Sequence, residues 1–270
     1  MNPLPWVDNC KHNLRFSADP DPIKCKTKCL AFISKKRELK NMMLCGHPLP
    51  WVDNCKHLGN YLENKIDGLK QDLRIKQARY IDKNNDLEQE FYFCHPQTKF
   101  TVNRIYNSHF TGSPLWNLFS PEAVKMEGTW NRSVKVMFDL PYATHRCLIE
   151  PLSDSTHVRR LLVNRFLNFI KQIEKSSKFV TKMLLRTIKT SVKSVTGYNL
   201  RRIMLELGKS NIDQLNNVGI DNIEYQPVQN EDKWKISIIK ECIDVKHGRM
   251  NIDGFTSEEL EEIVNHLCVS

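Results

Sequence analysis

From Val158 to Ile173 the apolar residues fall at threes and fours: Val158, Leu161, Leu162, Phe166, Phe169, Ile170 and Ile173. That spacing is the α-helical period, and it gathers them into one stripe. Val180, Met183, Leu184, Ile188, Val192 and Val195 repeat the pattern. Two successive amphipathic helices are therefore expected, each needing a neighbour to cover its stripe. A helical reading also holds from Ile66, where Leu69, Leu73, Ala78 and Ile81 punctuate a long charged stretch. Ser120-Pro121-Glu122 reads as a helix start, with Ser as N-cap, Pro in the first turn and an acid beside it. Trp130 and Phe138 sit on the stripe of that helix as core. Thr256 and Glu259 form a capping box for the last helix, with Phe255 placed to staple onto Leu260.

The first 65 residues read differently. TKCLAFIS (27–34) is a short apolar run that fits a strand, and Gly46 in NMMLCGHPLPWVD marks a hairpin turn. Pro48 and Pro50 cannot donate to a ladder, so the second piece is an edge or bulged strand. CKHLGNYLE (55–63) is expected to supply one further strand. The fold class is thus α+β, predominantly helical, with a small strand region near the N-terminus. The expected divisions are 1–12 as a duplicated, disordered segment, 13–65 as the strand region, and 66–152 and 153–270 as helical regions.

No stretch resembles a signal peptide, and no run reaches the ~20 apolar residues of a membrane-crossing helix. An intracellular protein, cytoplasmic or nuclear and away from membranes, is expected. The nine cysteines are odd in number and scattered. Cys25, Cys29, Cys45, Cys55 and His57 come closest to a zinc set, yet there is no CxxC knuckle. Phosphate-binding glycine loops, HExxH and GxSxG are all missing from the sequence. His145 and His157 have no evident carboxylate partner and are read as ordinary imidazoles.

Charge is more informative. The net charge of +9 is unevenly spread: residues 153–210 carry thirteen Lys and Arg against three acids. Residues 211–270 carry twelve acids against five bases. Lys35, Lys36, Arg37, Arg159, Arg160, Lys171, Lys175, Lys178 and Lys182 are candidate phosphate contacts, since interleaved basic faces can track a nucleic-acid backbone. A solvated helix surface has the same composition. Trp51, Tyr61, Tyr106 and Trp116 are candidate base-stacking rings, or core.

The segment KTKCLAF…MLCGHPLPWVDNCKHLGNYLE resembles the end of the palm in reverse transcriptases of non-LTR, LINE-type retrotransposons of the jockey-like group. HFTGSPLWNLF and TWNRSVKVMFDLPYATHRCLIEPLS are similar to the thumb and post-thumb helices of these polymerases. The resemblance runs from about His12 to the C-terminus. It implies that Lys26 and Lys28 lie near the nucleotide site of an intact palm. It also implies a primer grip at Trp51, Lys56, His57, Leu58 and Gly59, where Lys56-His57-Leu58-Gly59 matches a KYLG-like motif with His for Tyr. Gly59, lacking a Cβ, would let the backbone approach a primer end. Nucleic acid, an RNA or DNA template–primer, is the implied partner.

Intact relatives use Mg²⁺ on palm carboxylates, including an Asp-Asp pair. This sequence contains no adjacent Asp-Asp and few residues before KTKCLAF. The expectation is a polymerase remnant with no cofactor and no catalytic residue of its own, binding template–primer phosphates. A non-enzymatic basic helical binding module, a translated pseudogene remnant and a scaffold using the acidic tail remain alternatives. PLPWVDNCKH occurs twice, as residues 3–12 and 48–57. Only the second copy has a preceding turn and a following Leu-Gly. The first is expected to be unpaired, marking a rearranged or mispredicted 5′ end.

Overall fold

Gly46 occupies the left-handed region (φ +83°), which a side chain would resist, and the chain reverses there between two short strands. These are β1 (Met43–Leu44) and β2 (His47–Pro48), paired antiparallel with Leu44 opposite His47. The computed structural model describes residues 27–30, 42–44, 46–57, 59–64, 69–107, 110–154, 156–191, 194–209, 233–248 and 256–269. The chain divides into two compact units, Met1–Leu69 and Lys70–Ser270. The expected division at 152/153 falls inside the second of these. The class is α+β and mainly helical.

In the first unit, the stretch expected to be a strand contributes a single parallel bridge, Cys29 to Trp51. The Cys29 N–H donates to the Pro50 carbonyl and the Val52 N–H to that of Cys29, both at 2.9 Å. Residues 31–34 lie outside the described residues, as do both the first decapeptide copy and Phe255. CKHLGNYLE is not one strand. It is a hairpin of β3 (Asn54–His57) and β4 (Asn60–Glu63), with Lys56 opposite Tyr61 and His57 opposite Asn60. Gly59 turns it at φ +82°. The reversal is written in the glycine, which takes the positive φ.

The second unit contains nine α-helices among the described residues. The first, α1 (Lys70–Glu90), begins after Leu69, whose φ of +54° is not helical. Its buried side is Leu73, Tyr80, Asn84 and Leu87, whereas Ala78 and Ile81 are exposed. Tyr80 sets that register: its ring stacks on Trp130 of α3 (Pro121–Met137), with centroids 5.7 Å apart. Phe100 of α2 (Pro96–Tyr106) meets Trp130 edge-on at 5.9 Å, and Phe110 lies 5.8 Å from Tyr80. Aromatic pairs in such offset and edge geometries add to simple area burial. Trp116, one of the candidate stacking rings, is fully buried, and its indole N–H donates to Asp72 at 2.8 Å. Ser120 caps α3 as expected, its Oγ accepting the Ala123 N–H at 3.2 Å.

Helices α4 (Arg146–Ser153), α5 (Val158–Lys175), α6 (Phe179–Thr190) and α7 (Val195–Glu206) follow. On α5, Val158, Leu162, Phe166, Ile170 and Ile173 are buried, as the period requires. Asn199 of α7 is fully buried between two backbone groups: it accepts the Leu118 N–H at 3.2 Å and donates to the Trp116 carbonyl at 2.7 Å. At Gly197 the α6–α7 corner closes so tightly that a Cβ would stand 2.5 Å from the Ser191 carbonyl oxygen. Gly197→Ala should therefore lower stability by about 1–3 kcal/mol, despite the better helix propensity of alanine. Urea denaturation checks this.

The last helices, α8 (Lys233–Lys246) and α9 (Ser257–Val269), pack on each other, and α8 also packs on α4. Thr256 and Glu259 make the expected reciprocal cap, at 2.7 and 3.3 Å. Lys240–Asp154, at 2.7 Å, and Lys246–Asp139 tie α8 to the rest of the unit. No described helix is long and apolar enough to cross a membrane.

Candidate nucleic-acid interface

The basic surface is assembled at the corner where α5 ends and α6 begins. Lys171 and Lys175 stand one turn apart near the end of α5, and Lys178 and Lys182 repeat that spacing at the start of α6. Ser176 closes the corner, its Oγ accepting from Thr181 Oγ1 at 2.6 Å and from the Lys178 N–H at 3.3 Å. Glu174, the acid among these lysines, faces Lys189 at 3.8 Å.

The start of α6 is electrostatically unbalanced. Its N-cap is Lys178, with no side-chain cap and no acid in the first turn. Helix N-termini carry partial positive charge and unpaired N–H groups, which favour anions. By contrast α2, α3, α5, α7 and α9 are capped by His95, Ser120, His157, Ser194 and Thr256. Lysines at an uncapped N-terminus repel both one another and the helix end, and a phosphate relieves both.

Only Ile188 of the α6 stripe is buried. Phe179 and Val180 are 76 % and 75 % exposed, Met183 and Leu184 47 % and 44 %. The spacing does define an amphipathic helix, but its apolar face stays open.

Arg159 and Arg160 are placed differently from the lysines. Arg159 spans Glu127 and Glu206, at 3.4 and 3.0 Å, and stacks on Phe119. Arg160 meets Glu150 at 3.2 Å. A phosphate at either must compete with an internal carboxylate. Lys35, Lys36, Arg37, Lys26 and Leu58 lie outside the described residues. Lys28, Lys56, His57 and Gly59 are exposed, and Trp51 is half-buried with an indole N–H that meets no acceptor among the described residues. A Cβ on Gly59 would meet open space, so the glycine is explained by its turn geometry.

Sequence reasoning missed Arg202, whose guanidinium lies 5.3 Å from the Phe119 centroid, on a ring that also carries Arg159. Tyr198, one helical turn away, meets Phe119 edge-on at 6.0 Å. Their spacing on α7 held the signal, but Phe119 comes from a distant loop.

His157 is a buried N-cap. Its Nδ1 accepts the Arg159 N–H at 3.3 Å, so Nε2 carries the proton toward Asn131 Oδ1 at 3.0 Å. Burial, followed by the charges of Arg146, Arg159 and Arg160, brings its pKa from 6.5 down to about 3. A depressed histidine is neutral when folded, while the unfolded chain takes up the proton below about pH 6.5. The stabilisation is therefore complete above that pH and lost as pH falls toward 3. From pH 7 to pH 5 the loss should reach about 2 kcal/mol. His157→Asn keeps a capping oxygen and should flatten this part of the pH–melting curve.

Among the described residues no three His, Cys, Asp or Glu side chains are grouped to hold a metal. Fold and surface thus define a mainly helical α+β chain with a lysine-ringed, uncapped helix end. Comparison with known proteins brings no match from family models, curated proteins or solved structures.

Proposed function

We propose that this chain is the primer-grip and thumb portion of a non-LTR retrotransposon reverse transcriptase, and that it holds nucleic acid through phosphates without extending a primer by itself. The observation that carries the binding reading is the uncapped start of α6 among Lys175, Lys178 and Lys182. A thumb grips duplex of any sequence, so it needs phosphate contacts and no base code. Phe179, exposed in the first turn, adds a ring on which a base can stack. The motifs around Lys56-His57-Leu58-Gly59 supply the family likeness. The β3–β4 hairpin presents Lys56 and His57 beside its turn. Without an Asp-Asp pair in the sequence, the two-metal chemistry of polymerisation is left to another polypeptide or segment. The compartment implied is cytoplasmic or nuclear.

Binding to a labelled RNA–DNA hybrid, followed across a salt series, tests the reading. Affinity should fall linearly on a log–log plot. A flat salt response overturns it, and nucleotide incorporation in a primer-extension assay overturns the non-catalytic part.

A further inference from the structure

A groove of about 310 Å³ runs between α1 and α3, bordered by Ile81, Asn84 and Glu88 on one side and Arg132, Ser133 and Val136 on the other. Two acceptors beside it are incomplete. Asn84 gives its amide N–H to Ser133 Oγ at 2.8 Å, and Glu88 accepts from Lys99 with one oxygen at 2.8 Å. The other oxygen of each side chain, Asn84 Oδ1 and Glu88 Oε1, is buried and meets no donor. Asn84 as a whole is only 6 % exposed. Unpaired buried acceptors are costly, and these two belong to residues one turn apart on the same helix face.

We propose that the groove binds the amine-bearing edge of an unpaired nucleobase (adenine, cytosine or guanine), with the attached phosphate toward Arg132. The choice of a nucleotide rests on the nucleic-acid reading given under Proposed function. The donors required are neutral ones. A ligand ammonium would meet Lys99, already on Glu88, and the Arg132 guanidinium across the groove. An exocyclic amine brings two N–H groups and no charge. Ile81 and Val136 offer apolar walls to a ring face, and Arg132 is exposed, with no ion-pair partner among the described residues. The volume lies at the lower end of ligand sites, with room for one base and none for a duplex. Both oxygens are shielded from solvent, so the base must part the rim. Ile81 and Val136, at the rim, are 42 % and 56 % exposed. Uracil has a ring N–H but no amine, so it leaves an acceptor unpaired. Unpaired bases are commonly read on these edges by proteins that bind single strands.

The test is titration of the isotope-labelled full chain with AMP, CMP, UMP and ribose 5-phosphate, followed by amide chemical shifts in α1 and α3. AMP and CMP should bind about ten-fold tighter than UMP, and ribose 5-phosphate should leave the groove signals unmoved. Val136→Trp fills the groove from its exposed rim without touching a buried hydrogen bond, and should abolish the AMP response while melting stays unchanged. Glu88→Gln should narrow the gap between AMP and UMP. Equal response to all four compounds, no response to any, or AMP binding retained in Val136→Trp overturns the proposal. RNA–DNA hybrid binding measured alongside separates the two failures. If the hybrid still binds in a salt-dependent way, only the base site is wrong. If neither nucleotide nor hybrid binds, the nucleic-acid reading falls with it.

Discussion

Replacing Lys171, Lys175, Lys178 and Lys182 together by alanine should reduce affinity for an RNA–DNA hybrid by about two to three orders of magnitude at moderate salt. Each lysine that neutralises a phosphate releases condensed counterions, so the log–log salt slope should also become shallower by about 3–4. Melting should barely move, because Lys175, Lys178 and Lys182 are exposed and Lys171 half-exposed, and no described acid pairs with them. Surface changes of this kind alter stability by about 0.5 kcal/mol or less. Arg159→Ala makes the opposite control. Its guanidinium is held by Glu127 and Glu206, so its loss should appear in the melting curve, leaving Glu127 short of a partner in a buried setting. An unchanged salt slope in the quadruple variant would move the interface away from the α5–α6 corner.

Trp130→Ala should be the most damaging single substitution in the helical unit, at about 3–5 kcal/mol. Trp130 is 1 % exposed and touches Tyr80, Phe100 and Phe110, each from a different segment. Alanine leaves a cavity that four elements cannot jointly close, because each ring also packs elsewhere: Phe110 on Trp116 and Phe100 on Phe138. For a unit of this size the loss corresponds to a melting point lower by roughly 6–20 °C. Val124→Ser, on the exposed side of the same helix, should change it by no more than a degree or two. A small effect at Trp130 would mean that the aromatic cluster does not organise the unit.

Local signals were readable wherever one residue settles a conformation by itself. Ser120 and Pro121 start α3, Thr256 and Glu259 cap α9, and Gly46 makes its turn, each through bonds or dihedrals within a few residues. His95 and His157 escaped that reading. Imidazole is not among the common caps, although Pro96 after His95 marked a helix start. The stretch 55–63 reads as one strand, whereas Gly59 turns it into a hairpin at a positive φ. The groove between α1 and α3 could not be read at all. Asn84 and Glu88 lie on one helix and Arg132 on another far along the chain, and unpaired acceptors become visible only when every neighbour is in place.

The sequence by itself determined the helical class, the starts of α3 and α9 and the basic character of residues 153–210, because period, caps and charge are local properties. Only the tertiary structure decided which stripe is covered and which charge is free. The α5 stripe is buried and the α6 stripe is mostly open, though their patterns are alike. Arg159 and Arg160 are bound to acids, and the four lysines are not. Burial and pairing depend on partners supplied from distant parts of the chain, and no local pattern encodes whether a partner arrives.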